Sequence, residues 1–525
     1  MTSPRLSSIE GACFDVLVIG AGANGASAAQ HLAASGYSVL LVDKGDFASG
    51  SSSRSSRMLG NGMHYLAGGH SPWDFALRPH RFLAGCRMAR LALSNRAQMV
   101  RTMPERLRRV QFHLPLYRDG LYAPWQFDAG MMVLRMMGTG GVGLGYHRIA
   151  PAEAMKRPLL KWLRDPGKIS SVAVFDQYQF DWPERVVLDT VLDAEDMGAT
   201  VLNHTAVTQL SRRRDGIWQG DLSDSQDSGA QARVAARLVL NMAGIWIDRV
   251  NDTATGNRSS RKIMGTKGVH IAVRLPPECR EASVTWQNRQ NEHMYVLPWD
   301  GMHYIGPTET VYEGSLDDIH PTEEEIAWII EETNHMLPGM GITRADVLYS
   351  WAGVRPWTHH EDAPKGLRKR VIHDLADEGL PGVLAVTGGP LMSHRSVGKD
   401  TCRLVSKRLP PSGTPRPISY GARPGAAADG SPAVSNDLPN VTIADLRHAA
   451  MHEHPGTLSD LLFRRVKVGW TATMGHEAAL PAARAVAKIL DWDEARISRE
   501  VSEYRDRLRH LHLLDTHPAS GDIPR

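Results

Sequence analysis

The amino-acid sequence predicts an α/β fold in which a Rossmann-like domain is combined with an antiparallel-sheet domain and a C-terminal all-α domain. Three observations support this prediction. A glycine-rich turn joins two apolar runs near residue 20, alternating segments extend from about 262 to 354, and a helical pattern begins at 441. A chain of 525 residues is long enough to form several such domains.

The glycine-rich turn follows a predicted buried strand, Val16–Ile19, and leads into a helix and a second apolar run, Val39–Val42, which ends at Asp43. The glycines have the spacing G-x-G-x-x-G and are Gly20, Gly22 and Gly25. The first permits a tight turn, the second lets the backbone approach a pyrophosphate, and the third lets the helix pack on the sheet. A carboxylate at the end of the second strand can accept from ribose hydroxyls. The unit therefore predicts a dinucleotide-binding site.

Composition narrows the class of protein. The formal net charge of +3 argues against a dedicated nucleic-acid binder. The cysteines are scattered without a CxxC pair or a His/Cys cluster, which favours a reducing compartment and predicts neither a structural zinc site nor an iron–sulfur site. We also expect no signal peptide, and no run of apolar residues is long enough to predict a transmembrane helix.

The predicted domains are interleaved along the chain. We assign 1–90, 170–261 and 355–408 to the dinucleotide-binding domain, and 91–169 and 262–354 to a substrate or cap domain. A Pro/Gly/Ser/Ala-rich linker is predicted at 409–440 and a helical domain at 441–516.

A basic and amphipathic stretch lies between Arg78 and Arg109, where arginines alternate with Leu, Met and Val, and a Met- and Gly-rich segment follows at 129–145. Two interpretations stay open. One is a solvated helix face beside a core helix; the other is a surface that lies in a membrane interface and places its cations near anionic headgroups.

Several motifs together resemble the FAD-dependent glycerol-3-phosphate dehydrogenase family, which also includes erythritol-phosphate dehydrogenases. The matching segments are the glycine turn, the Ser-rich residues 51–66, "NMAGIW", "TKGVHI", "GVRP", "TGGPLMSHRS" and "LLFRRVKVGW". The resemblance covers nearly the whole chain and implies FAD as the cofactor. The cofactor contacts that we predict are Gly20, Gly22, Gly25, Asp43, Ser52, Ser53, Ser55, Ser56, Val207, Ala243, Gly244, Gly388 and Gly389.

Two cations of this family's phosphate site are missing here. His64 stands where the family has an arginine beside Tyr65, and Pro390 stands where a lysine follows the late double glycine. A charged hydrogen bond contributes ~1.5–3 kcal/mol, so the loss is large if the phosphate keeps its place. We therefore expect a displaced phosphate or a longer polyol phosphate, and glycerol 3-phosphate and erythritol phosphate both stay open as substrates.

The resemblance also implies catalytic roles. His270 is the candidate base that removes the hydroxyl proton while the hydride passes to flavin N5, and Arg355 stabilises the oxyanion or clamps the phosphate. The other predicted substrate contacts are His64, Tyr65, Arg368 and His394. His394 and Arg395 lie near the missing lysine in sequence and are expected to compensate for it.

The family passes its electrons to membrane quinone. We therefore expect a peripheral membrane enzyme on the cytoplasmic face of the inner membrane, a homodimer, and no nucleic-acid partner. Three alternatives stay open: a flavin-dependent amine or amino-acid oxidase, a flavin-binding module without activity, and a nicotinamide enzyme, which fits the first 45 residues alone.

Overall fold

The computed structural model describes residues 4–67, 79–227, 229–254, 259–427 and 429–514. Its central sheet has eight strands and confirms the predicted Rossmann-like domain. Six of them follow each other in the order Val371–Asp374, Val383–Thr387, Gln231–Asn241, Cys13–Ile19, Val39–Val42 and Thr200–Leu202. The pairs around Cys13–Ile19 are parallel. Thr205–Arg212 and Trp218–Asp224 form an antiparallel ribbon beside Gln231–Asn241.

Continuous apolar runs explain why the parallel strands are buried, because helices leave little of their surface to water. Val16, Val18 and Leu40 are all 0% exposed. The helices that pack together on this sheet are Ala23–Ala34, Pro183–Asp196 and His394–Ser406. The carboxyl ends of the parallel strands stay open, which is where ligands bind in this type of sheet.

The alternating segments form an antiparallel sheet, as predicted. Its strands are Val284–Gln287, His293–Trp299, Met302–Gly306, Ile263–Val273, Thr310–Val311 and Val347–Thr358. Ile263–Val273 pairs with Val347–Thr358 so that His270 lies opposite Trp351 and Thr266 opposite Arg355. This register places two predicted catalytic residues on neighbouring strands.

A third sheet joins segments that the predicted domain boundaries separate. Its strands are Met58–Leu59, Leu107–Tyr117, His147–Ile149 and Ile169–Phe180. The boundaries themselves stay a prediction. The helices of the first half of the chain outside the central sheet are Pro4–Ser7, His64–Ala67, Pro79–Thr102, Pro124–Met136, Pro151–Ala154 and Ile247–Asp252, and Glu323–Met336 follows later.

The C-terminal region is helical, as predicted. A hairpin of Ala433–Ser435 and Leu438–Thr442 precedes it; the hairpin begins in the predicted linker and ends two residues beyond it. The helices are Ile443–His452, Leu458–Asp460, Leu461–Arg465, Ala479–Val486 and Glu494–His512.

Buried ion pairs attach these helices to the central domain. Arg465 Nη2 lies 2.8 Å from Asp46 Oδ1, and Arg464 contacts both Asp46 and Asp460. Arg185 makes hydrogen bonds of 2.7 and 2.8 Å with Glu453. Each of these buried charges has a partner, as burial requires. The C-terminal helices also share one buried apolar cluster with the antiparallel sheet.

The basic stretch is only partly a solvated surface. Arg78 lies outside the described residues. Arg96 is buried and donates to the carbonyl oxygens of Val142 and Gly143, and Arg106 pairs with Asp189. In the described ranges we find no helix with the length and hydropathy that a membrane crossing requires.

Candidate active site

A cavity of about 1690 Å³ opens at the carboxyl ends of the parallel strands. Its wall combines Gly20 and Asp43 from the central sheet, His270 from the antiparallel sheet, and Tyr504 from the C-terminal helices. Pockets for one small ligand usually measure ~300–1,000 Å³, so this cavity has room for a dinucleotide and a second small molecule.

The first end of the cavity is the nucleotide turn, residues 20–25. Gly20 has a φ of +102°, and a Cβ added there would lie 2.7 Å from the Met242 carbonyl oxygen. A Cβ on Gly25 would lie 1.8 Å from the Gly20 carbonyl oxygen. Gly25 therefore does not line the cavity; it lets the helix pack directly on the turn, which is the role predicted for the third glycine.

Asp43 follows the second strand and lines the cavity beside the nucleotide turn. Its Oδ2 accepts from the Ala21 N–H at 2.7 Å, and its Oδ1 accepts from the Gly45 N–H at 2.9 Å. Burial raises the pKa of this carboxyl to about 6, and the nearby Asp46 acts in the same direction. The carboxylate is thus fixed by the backbone, and it is available to accept from a hydroxyl in the cavity.

The serine-rich segment divides into two groups. Ser52, Ser55 and Ser56 line the cavity, and Ser52 Oγ also accepts from the Ala23 N–H at 3.1 Å. The prediction that Ser53 contacts the cofactor is wrong, because Ser53 is buried away from this cavity and donates to the Ala48 carbonyl oxygen. Its function is to hold the loop.

The remaining predicted cofactor residues also divide. Val207, Ala243, Gly244 and Gly389 line the cavity. Gly388 does not, because it faces the Lys369 backbone, where an added Cβ would lie 2.4 Å from the carbonyl oxygen. In the described wall, the predicted contacts Gly25, Ser53 and Gly388 thus support the site without lining it.

The second end of the cavity, which we call the substrate end, centres on His270. Its ring stacks on Trp351 with centroids 4.9 Å apart and an interplanar angle of 10°. Nε2 lies 3.2 Å from the Tyr295 hydroxyl, while Nδ1 is buried without a hydrogen-bond partner among the described residues. Burial holds the pKa of His270 well below its usual value, and the charges of Arg355 and Arg57 add to this effect. The imidazole is therefore neutral and can accept a proton.

Arg355 and Arg368 supply positive charge at the substrate end. Both guanidinium groups lie near the Trp357 ring, at 5.9 and 4.7 Å from its centroid. Arg355 Nη1 is buried with no hydrogen-bond partner in the described part of the chain. Arg368 Nη2 donates to both carboxylate oxygens of Glu309, at 3.0 and 2.8 Å.

His64 and Tyr65 also line the substrate end, with ring centroids 3.9 Å apart. The His64 ring is exposed to the cavity, which the surrounding protein encloses. This enclosure lowers the pKa of His64 to about 3, with a further contribution from Arg368. His64 is thus a neutral donor and acceptor, and it does not replace the charge of the arginine that the family has there.

His394 does not lie at the site. It is 1% exposed, it donates from Nδ1 to the Leu391 carbonyl oxygen, and it does not line the cavity. Arg395 donates to Thr102 Oγ1 and to the Tyr420 carbonyl oxygen. The expectation that these two residues compensate for the missing lysine at Pro390 is therefore wrong, because both side chains form hydrogen bonds elsewhere and neither lines the cavity.

Several functional candidates escaped the sequence analysis. Glu309 lines the cavity and pairs with Arg368, and Lys365 pairs with Glu292 in the same wall. Arg57 lies behind His270, 4.0 Å from the centroid of the Trp299 ring. Sequence spacing gives no signal for these pairs, because their members come from separate loops and strands. Arg57 is different, because it belongs to the serine-rich segment that the sequence analysis had already assigned to the site.

The donor set fits an FAD molecule. The nucleotide turn presents backbone N–H groups at a helix N-terminus, and Asp43 offers an acceptor. Among the described residues, the buried polar atoms of the cavity wall that have no partner include His270 Nδ1 and Arg355 Nη1. Pyrophosphate and ribose need the first two features.

Comparisons with known proteins agree with this fit. The family model of the FAD-dependent oxidoreductases matches residues 15–404. A glycerol-3-phosphate dehydrogenase of Synechocystis sp. is 30% identical over 431 residues, which cover 80% of this chain and 75% of the relative. An aerobic glycerol-3-phosphate dehydrogenase of Staphylococcus saprophyticus is 28% identical over 399 residues, which cover 75% of this chain and 67% of the relative.

Solved structures show the same fold. The glycerol-3-phosphate dehydrogenase from Bacillus halodurans, complexed with FAD, has a TM-score of 0.73 at 19% identity, with 99% of this chain and 98% of that chain covered. Glycine oxidase from Geobacillus kaustophilus has a TM-score of 0.55 at 20% identity, with 79% and 100% covered. The chain belongs to the FAD-dependent oxidoreductase family and is an enzyme that uses FAD.

Proposed function

We propose that this enzyme oxidises a secondary hydroxyl of a polyol phosphate of the glycerol 3-phosphate type. One observation carries the proposal: a neutral, buried His270 lies in the same cavity wall as the guanidinium of Arg355, whose Nη1 has no partner among the described residues. A base and a cation in one cavity wall suit an alcohol that carries a phosphate. The names of the relatives support the same substrate class.

The phosphate would bind to the cations of the substrate end. Arg355, Lys365 and Arg368 line this wall, and the last two are held by Glu292 and Glu309. A dianion prefers charge-assisted, bidentate donors, which a guanidinium supplies. Arg355 is the cation most available to the phosphate, because no carboxylate among the described residues is bonded to its guanidinium.

His270 would take the hydroxyl proton. Because its pKa is low, the ring carries a single proton at neutral pH, and one ring nitrogen is free to accept another. Arg355 would stabilise the negative charge that develops on the substrate oxygen. Bound FAD supplies the two-electron acceptor for the hydride. Tyr295 fixes the ring through Nε2, and the stacked Trp351 excludes water from the other side.

Flavin reduction without oxygen tests this proposal. Purified holoenzyme is mixed with glycerol 3-phosphate, erythritol phosphates and amino acids in turn, and the flavin absorption is followed. Rapid bleaching by a polyol phosphate supports the proposal. Bleaching only by an amino acid would overturn it in favour of an amine-oxidase-like enzyme, and bleaching by none would favour a flavin-binding module without activity.

The same experiment separates the two phosphates. His64 and Pro390 remove two charges from the family's pattern, and both line the cavity. Selective bleaching by the four-carbon phosphate would mean that these residues mark a longer substrate pocket. Bleaching by glycerol 3-phosphate would mean that Arg355 and the paired cations suffice.

We further propose that helix Pro124–Met136 lies in a membrane interface and brings the site near a quinone. Its exposed face carries Trp125, Met132 and Met136, which are 63, 64 and 77% exposed. On the opposite face, Phe127 lines the cavity. Large apolar side chains at this spacing form one stripe, and such a stripe suits the headgroup boundary.

Flotation with anionic vesicles tests the membrane proposal. We expect the wild-type protein to float and the variant Trp125→Ser/Met132→Ser/Met136→Ser to stay at the bottom. Met451→Ser is the matched control, because Met451 is 57% exposed on a different helix. Equal behaviour of all three proteins would remove the proposed interface.

A further inference from the structure

Three side chains of types that can bind a metal ion, Asp318, His320 and His510, lie together on the surface between the antiparallel sheet and the C-terminal helices. His510 Nε2 lies 2.6 Å from Asp318 Oδ1, and His320 Nδ1 lies 3.3 Å from the same oxygen. The two imidazole rings are 4.8 Å apart between centroids. All three ligand atoms lie within 4.8 Å of one another.

We propose that Asp318, His320 and His510 bind one divalent transition-metal ion of the zinc type. Zinc takes imidazole nitrogen and carboxylate oxygen at ~2.0–2.2 Å in a tetrahedral arrangement, which places neighbouring ligand atoms roughly 3.3–3.6 Å apart. His320 Nδ1 and Asp318 Oδ1 are 3.3 Å apart, which matches this spacing. The hydrogen bond between His510 Nε2 and Asp318 Oδ1, at 2.6 Å, would lengthen by about 1 Å when an ion takes the place of its proton. Asp318 and His510 are exposed, and His320 is partly exposed. Water would complete the coordination. Two imidazoles and one carboxylate favour zinc, nickel or copper over magnesium and calcium.

The alternative group of three ligands in the described residues is already neutralised. Asp46, His204 and Asp460 also lie within 4.8 Å of one another. However, Arg464 and Arg465 both form ion pairs with Asp46, and Arg464 also forms one with Asp460. Two arginines at these carboxylates repel a cation, so of the two groups found among the described residues the surface triad is the one suited to a metal ion.

The ion would connect two walls of the FAD cavity. His510 belongs to helix Glu494–His512, which contributes Tyr504 and Arg507 to the cavity wall. Asp318 follows Asp317, which lines the cavity and forms ion pairs with Lys44 and Arg249. A metal at the triad would therefore hold the C-terminal helix against the loop of Asp317, which lines the cavity.

Calorimetric titration of the chelator-treated, full-length holoenzyme with Zn²⁺ alone tests this site. We expect one tight site per chain in the wild type. His510→Gln and Asp318→Asn should weaken it by at least about tenfold, the smallest loss typical of residues that only orient a ligand.

The chain offers a matched control in His448 and His452. Their ring centroids are also 4.8 Å apart, one turn apart on helix Ile443–His452, but no carboxylate joins them in the described structure. His448→Gln/His452→Gln should leave the tight site unchanged. If this variant abolishes tight binding, or if His510→Gln and Asp318→Asn bind Zn²⁺ as the wild type does, the proposal is overturned.

A second measurement guards against indirect effects, because His510→Gln also removes the hydrogen bond to Asp318. His320→Gln changes only the weaker contact of the triad. We expect Zn²⁺ to raise the Tm of the wild type and to slow its release of FAD, and we expect both effects to be lost in His320→Gln. Wild-type-like zinc effects in His320→Gln would contradict a three-ligand site.

Discussion

The nucleotide turn and the substrate end belong to one cavity but are assembled differently. Gly20, Gly25 and Asp43 come from one strand–helix–strand unit, and its backbone packs so closely that a Cβ on Gly25 would lie 1.8 Å from the Gly20 carbonyl oxygen. At the substrate end, His270, Arg355 and Glu309 come from separate strands and a loop, and an ion pair joins Glu309 to Arg368. A substitution at the nucleotide turn therefore disturbs the backbone packing, whereas a substitution at the substrate end changes one side chain and leaves the backbone in place.

Gly25→Ala should have the largest effect, because the new Cβ would meet the Gly20 carbonyl oxygen. Overpacking of this kind lowers the free energy of unfolding by at least about 1–3 kcal/mol, and we expect the purified protein to lose most of its flavin. Flavin content and thermal unfolding check this. Gly143→Ala is the control, since a Cβ there would meet nothing within 4 Å. Equal flavin content in both variants would show that the turn is not defined by backbone contact.

His270→Gln should lower kcat about 10²- to 10⁴-fold, the range typical of a lost general base, while the protein keeps its flavin. The wild-type pH profile gives a second check. Because the pKa of His270 is held well below 6.5, the neutral base persists as the pH falls through 6.5, and activity should not drop there through this residue. A loss of activity centred at 6.5 that disappears in His270→Gln would contradict the assignment.

Arg355→Met should raise KM for the polyol phosphate and lower kcat/KM by about 10- to 150-fold, which corresponds to ~1.5–3 kcal/mol for a charged hydrogen bond. Arg355→Lys should recover only part of the loss, because an ammonium group is not bidentate. Unchanged steady-state constants in Arg355→Met would place the phosphate elsewhere.

Asp43 predicts a pH-dependent affinity for FAD. Ionised Asp43 is the better acceptor for a ribose hydroxyl, and its pKa lies at about 6, so affinity should fall as the pH drops through 6 and level off above it. Asp43→Asn should bind FAD more weakly and without this step. Titration of FAD release against pH distinguishes the two curves, and a step that persists in the variant would assign the titration to another group.

Glu309→Gln should have the smallest effect. It releases Arg368, whose side chain is 52% exposed, from a pair of the kind that contributes ~0.2–1 kcal/mol. We expect KM for the phosphate substrate to fall by about 1.4- to 5-fold, since one more cation becomes free. Lys365 and Glu292 offer a parallel test through Glu292→Gln. An increase in KM would mean that the carboxylate itself contacts the substrate.

The comparison also explains how much the sequence could predict. The strands around Gly20 and the antiparallel sheet were predictable, because apolar runs and alternation are local signals. Ser53 and Gly388 were assigned to the cofactor because residues next to them were. The Ser53 side chain instead donates to the Ala48 carbonyl oxygen, and a Cβ on Gly388 would point at the Lys369 backbone. His394 failed for a related reason, since closeness in sequence to Pro390 did not mean closeness to the cavity.

Long-range partners could not be predicted at all. Arg368 meets Glu309 across 59 positions of sequence, and His510 meets Asp318 across 192. Only the folded chain brings such side chains together, so the electrostatics of the substrate end and the surface triad emerge from the three-dimensional structure.

The C-terminal helices have a consequence for how this enzyme is made. Thr457, Tyr504 and Arg507 form part of the cavity wall, and the buried pairs of Arg464 and Arg465 with Asp46 hold that wall in place. Proteins are synthesised from the N-terminus, so the nucleotide turn leaves the ribosome long before these helices do. The enclosure of the cofactor is therefore complete only after these helices have been synthesised, which makes FAD loading a late step in the maturation of this chain.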